Sequence, residues 1–156
     1  MSNQSKVLCP RCEQAGKHVD LPTLKALLVV SLTQLRHPEY RFCPSPDCPV
    51  VYFSVDGTQC FGETEMRERV YQKHPPDDEV FVCYCFRHTI GSIKAELVAT
   101  RQSTVIEAVT AGIQAGQCAC DIRNPQGNCC LGNVRAALQR LQSAAEATTK
   151  ATKTNF

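Results

Sequence analysis

Large apolar residues recur at helical spacing in several stretches of the chain, and short β-branched and aromatic runs lie between them. Leu24, Leu27, Leu28 and Leu35 predict a helix over Thr23–Leu35, with Pro22 suited to its first turn. Val50-Val51-Tyr52-Phe53 follows a proline-rich turn and predicts a strand. Gln59–Phe61 and Met66–Tyr71 are read as further short strands. Beyond them the period changes to that of helices. Ile90, Ile93, Leu97 and Val98 form one stripe behind a Thr89 cap. Ile106, Val109 and Ile113 form another, with Thr104 and Glu107 at capping-box spacing. Leu131, Val134, Leu138 and Leu141 form a third. The pattern therefore predicts an α+β part followed by a helical part.

His74-Pro75-Pro76-Asp77-Asp78-Glu79 separates the two parts, because paired prolines followed by acids continue neither a helix nor a central strand. The expected organisation is an α+β subdomain over 1–72, a linker over 73–79 and a helical subdomain over 80–143. The stretch 144–156, rich in Ala, Thr and Lys, is expected to be a disordered tail. The linker acids read as a solvated turn.

Composition narrows the class. With 43% hydrophobic and 21% charged residues, the chain reads as a soluble globular protein. A net charge of +2 argues against a nucleic-acid-binding surface. No apolar run is long enough to cross a membrane, so no membrane insertion is expected. The start, MSNQSKVLCP, lacks the features of an export signal, so a cytoplasmic location is expected.

That location governs the reading of the eleven cysteines. An oxidising compartment would suggest disulfides with one thiol left over. In a reducing cytosol, clustered cysteines more often hold metals. Cys9-Pro-Arg-Cys12 is a CxxC knuckle, and Cys43-Pro-Ser-Pro-Asp-Cys48 is a wider one. Four thiolates from two knuckles match a closed tetrahedral Zn²⁺ site, zinc-ribbon-like in spacing. Such a site has no open coordination position and acts by stabilising the fold.

The second group comprises Cys83, Cys85, Cys118, Cys120, Cys129 and Cys130. In an extended segment Cys83 and Cys85 would point to one side and grip a single iron. Cys129-Cys130 opens the third helical stripe, where a helix N-terminus favours negative charge. A [2Fe–2S] cluster needs four protein ligands, so this group holds enough for one with two to spare. A second zinc is the alternative, although no CxxC knuckle recurs here. Cys60 belongs to neither group.

Cys83-Tyr-Cys85-Phe, a helical pair, Cys118-Ala-Cys120 and Asn124-Pro-Gln-Gly-Asn-Cys-Cys-Leu-Gly-Asn-Val134 resemble the N-terminal domain of CopZ-type copper chaperones. Cys9-Pro-Arg-Cys12 and Phe42-Cys-Pro-Ser-Pro-Asp-Cys-Pro-Val-Val-Tyr-Phe53 carry the resemblance through the first half. The resemblance implies one zinc and one [2Fe–2S] cluster, and a helical half similar to bacterioferritin-associated ferredoxin. It favours Cys83, Cys85, Cys120 and Cys130 as cluster ligands, with Cys118 and Cys129 as their neighbours. Chaperones of this type continue into a heavy-metal-associated domain with its own CxxC, and here the chain ends in the polar tail instead.

The function expected from this resemblance is that of a small redox metalloprotein of copper handling. It would pass one electron to Cu(II) and supply Cu(I) to a copper carrier or a copper-transporting ATPase. Cys60, Cys118 and Cys129 are candidates for binding Cu⁺ directly. A non-redox interaction module stabilised by its metals is the other class. An enzyme is not expected, since His18, His37, His74 and His88 form no HExxH group and no phosphate loop or nucleophile elbow occurs.

Overall fold

The computed structural model describes residues 6–74 and 77–153, with side chains through Ala144. Its contacts divide the chain into two units. The first comprises Met1–Pro76 together with Ala119–Asn128, and the second comprises Asp77–Cys118 together with Cys129–Phe156. The segment 119–128 thus belongs to the first unit although it follows most of the second in sequence. Asp77-Asp78-Glu79 begins the second unit, while Pro75 and Pro76 lie outside the described residues.

The first unit is built on β3 (Val50–Ser54), whose five residues are all buried. A strand buried on both faces needs continuous apolar character rather than alternation, and Val-Val-Tyr-Phe supplies it. It pairs antiparallel with β2 (Tyr40–Phe42) and with β4 (Cys60–Gly62). β1 (Lys17–Val19) completes the sheet in the order β1-β2-β3-β4. Val19, Leu24, Leu27, Leu28, Tyr40, Phe42, Val51, Tyr52, Phe61, Met66 and Val70 form its main core.

The first predicted helix is shorter than its leucine spacing suggests. α1 covers Leu21–Leu27, and Leu28 turns to extended backbone (φ −79°, ψ 138°). There Leu28 bridges Met66, with Val29 N donating to Glu65 O (2.8 Å) and Arg67 N to Leu27 O (2.7 Å). The β-branched Val29-Val30 that follows is a weak helix former, and the cross-chain bonds take its backbone groups instead. Leu32–Gln34 forms a separate 3₁₀ turn. Met66–Tyr71 is not a strand either. Met66 and Val70 are both buried, and the chain around them forms 3₁₀ turns at Glu63–Glu65 and Tyr71–Lys73. Gln59–Phe61 is a strand displaced by one residue, as β4.

The second unit opens with a hairpin, β5 (Phe81–Cys83) and β6 (His88–Thr89), which the apolar pattern did not reveal. Three helices follow: α2 (Ile90–Thr100), α3 (Val105–Gln114) and, after the excursion through 119–128, α5 (Leu131–Lys153). Thr89 caps α2 as predicted, accepting from Ser92 N (3.0 Å), while Ser92 Oγ accepts from Thr89 N (3.1 Å). The capping box expected at α3 does not form. Thr104 instead gives its N–H and its hydroxyl to the Glu96 carboxylate, at 2.8 and 2.7 Å. Those bonds hold the Glu96 carboxyl below its usual pKa.

α5 packs against α2, α3 and β5 through a face that buries Val134, Ala137 and Leu138. The helix continues through most of the stretch read as a disordered tail. Ala, Glu and Lys are strong helix formers, so a polar composition there does not end the helix. Thr154–Phe156 lie outside the described residues.

Candidate metal centres

Cys9, Cys12, Cys43 and Cys48 converge in the first unit, their sulfurs all within 4.8 Å of one another. The first knuckle is a turn closed by the Leu8–Ala15 bridge, with Cys9 N donating to Gln14 O and Glu13 N to Cys9 O, both at 2.9 Å. Glu13 takes left-handed backbone (φ 61°) at the end of that turn. The second knuckle is the β2–β3 connection, where Cys43 N donates to Val51 O (2.8 Å). Sheet pairing therefore brings together ligands some thirty residues apart in sequence.

The cysteines sit on Val50 and Phe53, which form a small apolar cluster with Cys9, Cys43 and Cys48. Gly16 makes room for that seat, because a Cβ there would stand 2.4 Å from the Phe53 ring. The sulfurs of Cys9 and Cys48 are 3.8 Å apart, and those of Cys12 and Cys43 are 3.6 Å apart. Four thiolates at Zn–S distances of about 2.3 Å form a tetrahedron with edges of about 3.8 Å. The donor set and its spacing fit Zn²⁺.

The thiols are not equivalent. Burial drives Cys43 up to about 12 and raises Cys48 as well. Burial also opposes ionisation at Cys12. There the Gln14 backbone and hydrogen bonds with Cys43, Cys9 and Cys48 outweigh it and bring the thiol down to about 7. Lys73 donates to Ser45 O (2.7 Å) inside the second knuckle, and its charge favours the Cys43 thiolate. Sequence reasoning passed over Lys73, since a lysine twenty-five residues beyond the knuckle gives no local signal.

The second cysteine group is distributed over several elements. Cys83 ends β5 and is buried, and Cys85 lies half-buried in the turn that leads to β6. The pair is thus a strand end and a turn, not the continuous extended segment expected. Cys120 starts the short helix α4 (Cys120–Arg123) and is half-buried. Cys130 is buried just ahead of α5 and accepts from Val134 N (2.9 Å), as a helix cap does. Cys118, Cys129 and Cys60 are exposed.

Arg87 stacks over Phe81 at 3.8 Å and takes left-handed backbone (φ 62°) in the Cys83–His88 turn. His88 pairs with Cys83 in the β5–β6 register, while the other three histidines are engaged elsewhere. His18 pairs with Asp20 at 2.8 Å, His37 with the Glu39 backbone at 2.9 Å, and His74 with both Glu63 oxygens at 2.6 Å.

The stretch after Cys120 is braced from within. Asn124, 1% exposed, gives its Nδ2 to Asn128 O (2.9 Å) and accepts from Gln126 N at Oδ1 (3.2 Å). Gly127 supplies the left-handed turn (φ 78°) that this bracing requires.

Residues 6–67 match a family model described as the zinc-binding domain of CopZ. The N-terminal domain of Archaeoglobus fulgidus CopZ, known from an X-ray structure, is 27% identical, with a TM-score of 0.68. The similarity covers 83% of this chain and 95% of that domain. Comparison with curated proteins finds no match. Among the described residues, no helix is long and apolar enough to cross a membrane. The chain therefore carries a CopZ-type zinc-binding domain and has the α+β architecture of a CopZ N-terminal domain.

Proposed function

We propose that this chain is a small redox metalloprotein of copper handling, with Zn²⁺ on Cys9, Cys12, Cys43 and Cys48 and a [2Fe–2S] cluster on Cys83, Cys85, Cys120 and Cys130. The sorting of the second cysteine group by burial carries this reading. Within each close pair the burial differs: Cys120 is half-buried where Cys118 is exposed, and Cys130 is buried where Cys129 is exposed. Cys83 and Cys130 are nearly inaccessible, at 0% and 2%. Thiolates that hold a cluster must be shielded from water and oxidants, whereas spare thiols need not be.

The chain's own groups suit a negatively charged centre. Cys130 precedes the N-terminus of the long helix α5, whose free N–H groups favour thiolate. Bound there, a [2Fe–2S] cluster supplies one-electron chemistry, enough to convert Cu(II) to the Cu(I) that thiolate sites prefer. The zinc centre keeps all four positions closed by protein and serves the fold. A copper carrier or a copper-transporting ATPase is the partner class that the CopZ resemblance favours.

Anaerobic purification followed by metal analysis, visible spectra and EPR tests this. About two irons and about one zinc per chain are expected, with an EPR signal on reduction and none before. Zinc at both sites and no colour would overturn the cluster. Failure of the reduced protein to convert Cu(II) to Cu(I) would remove the redox function alone.

A second reading draws on the same exposures. Cys60, Cys118 and Cys129, the exposed thiols, are the three outside both ligand sets, so they are available to bind Cu⁺ directly. Titration of the metal-loaded protein with Cu(I) under a competing chelator distinguishes the two.

A further inference from the structure

The 3₁₀ turn Tyr71–Lys73 lies in the first unit just ahead of the proline pair, and one carboxylate grips it from both ends. Glu63 Oε2 accepts from the amide of Val70, the residue before the turn (3.0 Å). His74, the residue after it, brings Nε2 within 2.6 Å of both Glu63 oxygens. The turn's own amides complete the frame, with Lys73 N donating to Val70 O (2.9 Å) and His74 N to Tyr71 O (3.2 Å). The side chains of His74 and Glu63 are each 28% exposed, so the pair is partly shielded from water. From this clamped turn Lys73 reaches the second zinc knuckle, where its ammonium donates to Ser45 O (2.7 Å) between Cys43 and Cys48. Glu63, Lys73, His74 and Cys48 line one cavity of about 440 Å³.

We infer that Glu63 and His74 are positioning residues for Lys73, so that a histidine–carboxylate clamp outside the metal site helps to set how tightly the second knuckle holds zinc. The inference rests on the assignment of zinc to Cys9, Cys12, Cys43 and Cys48 proposed above. A lysine side chain is long and flexible, so its ammonium stays on one carbonyl only where the backbone beneath it is fixed. Ser45 lies inside Cys43-Pro-Ser-Pro-Asp-Cys48, so holding its carbonyl steadies the loop that presents both thiolates. Loosening the clamp leaves the turn anchored by buried Val70 and Tyr71, yet gives Lys73 and the knuckle more freedom. Glu63 and His74 thus act through Lys73 and not on the metal. The coupling is reciprocal: zinc, by fixing the knuckle, holds Lys73 in place and steadies the turn.

The test measures zinc affinity by chelator competition on the full chain. Wild type is compared with Glu63→Gln, His74→Leu and His74→Gln, and with Glu63→Gln and His74→Leu each combined with Lys73→Met. Glutamine at position 74 keeps an N–H donor for Glu63, and leucine does not. A partly exposed ion pair acting one residue removed should change affinity about threefold. The zinc dissociation constant should therefore rise about threefold in Glu63→Gln and in His74→Leu, with His74→Gln close to wild type. In the Lys73→Met background neither substitution should add a further loss, because the residue they act through is gone. Wild-type affinity in His74→Leu would overturn the inference. So would an equal loss with and without Lys73, which would assign the clamp to the general stability of the turn. Should His74→Leu fail to fold, the Glu63→Gln cycle decides by the same criteria. A wild type that takes up no zinc would refute the zinc assignment itself, a separate failure.

Discussion

The ring of Phe86 lies against the backbone of α3 at Gly112, where an added Cβ would stand 2.3 Å from the ring edge. Phe86 follows Cys85 in the hairpin turn, so this glycine determines where that turn can lie. Gly112→Ala sets two effects against each other. Alanine favours the helix by about 1 kcal/mol, while overpacking costs about 1–3 kcal/mol. With a rigid ring in the way, overpacking wins. The variant should melt at a lower temperature than wild type, and Phe86→Leu in the same chain should recover part of the loss. A Gly112→Ala protein as stable as wild type would show that the ring moves freely.

Zinc uptake should release protons and weaken with acid. Burial holds Cys43 and Cys48 protonated at neutral pH in the metal-free site, and both must ionise to bind zinc. At least two protons per zinc should therefore appear when binding heats are compared in buffers of different ionisation enthalpy. Apparent affinity should rise steadily from pH 6 to pH 8. The sign for the metal-free fold is opposite. Thiols raised from 9.0 stabilise it fully below pH 9, and that contribution fades as pH climbs towards 12. Cys43→Ser should abolish stoichiometric zinc binding and unfold the sheet, as hydrogen exchange at β3 would report.

Lys73 contributes to the zinc site without touching the metal. Its ammonium fixes the Ser45 carbonyl within the second knuckle and favours the Cys43 thiolate. Lys73→Met keeps much of the apolar stem and removes both effects. Zinc affinity should fall about tenfold in a chelator competition, the lower end of what outer partners of metal ligands contribute. An unchanged affinity would reduce Lys73 to a surface residue.

Asp56 offers a pH marker for the same sheet. Hydrogen bonds from the Ser54 hydroxyl and from the Thr58 hydroxyl and amide hold its carboxyl near 2 rather than 3.8. A depressed folded pKa stabilises above the unfolded value, so this contribution is whole at pH 6 and vanishes as pH falls from about 4 to about 2. Asp56→Asn should flatten that part of the acid unfolding curve, and the carboxyl carbon should titrate near 2 by NMR.

The legible parts of this fold were those with a strong local cause. β3 announced itself through an unbroken β-branched and aromatic run, and α2 through its threonine cap and apolar stripe. The CxxC spacing of Cys9 and Cys12 pointed to a metal before any geometry was known. By contrast, β1 and β2 have three residues each, too few for alternation to stand out. The end of α1 depends on Met66, far along the chain, accepting Leu28 as a bridge partner. At α3, Glu96 from the preceding helix took the hydroxyl that a capping box would have used. Each of these was decided by a partner distant in sequence.

Because Ala119–Asn128 is held by Thr23, Tyr52 and Gln72, the first unit is discontinuous in the gene even though the cysteine groups look sequential. A fragment cut after Pro76 would carry every zinc thiol yet uncover the buried hydroxyls of Thr23 and Tyr52. Supplying 119–128 as a separate peptide should restore it. Recombination or truncation at the proline pair, which looks from the sequence like a clean joint, would break the molecule in the wrong place.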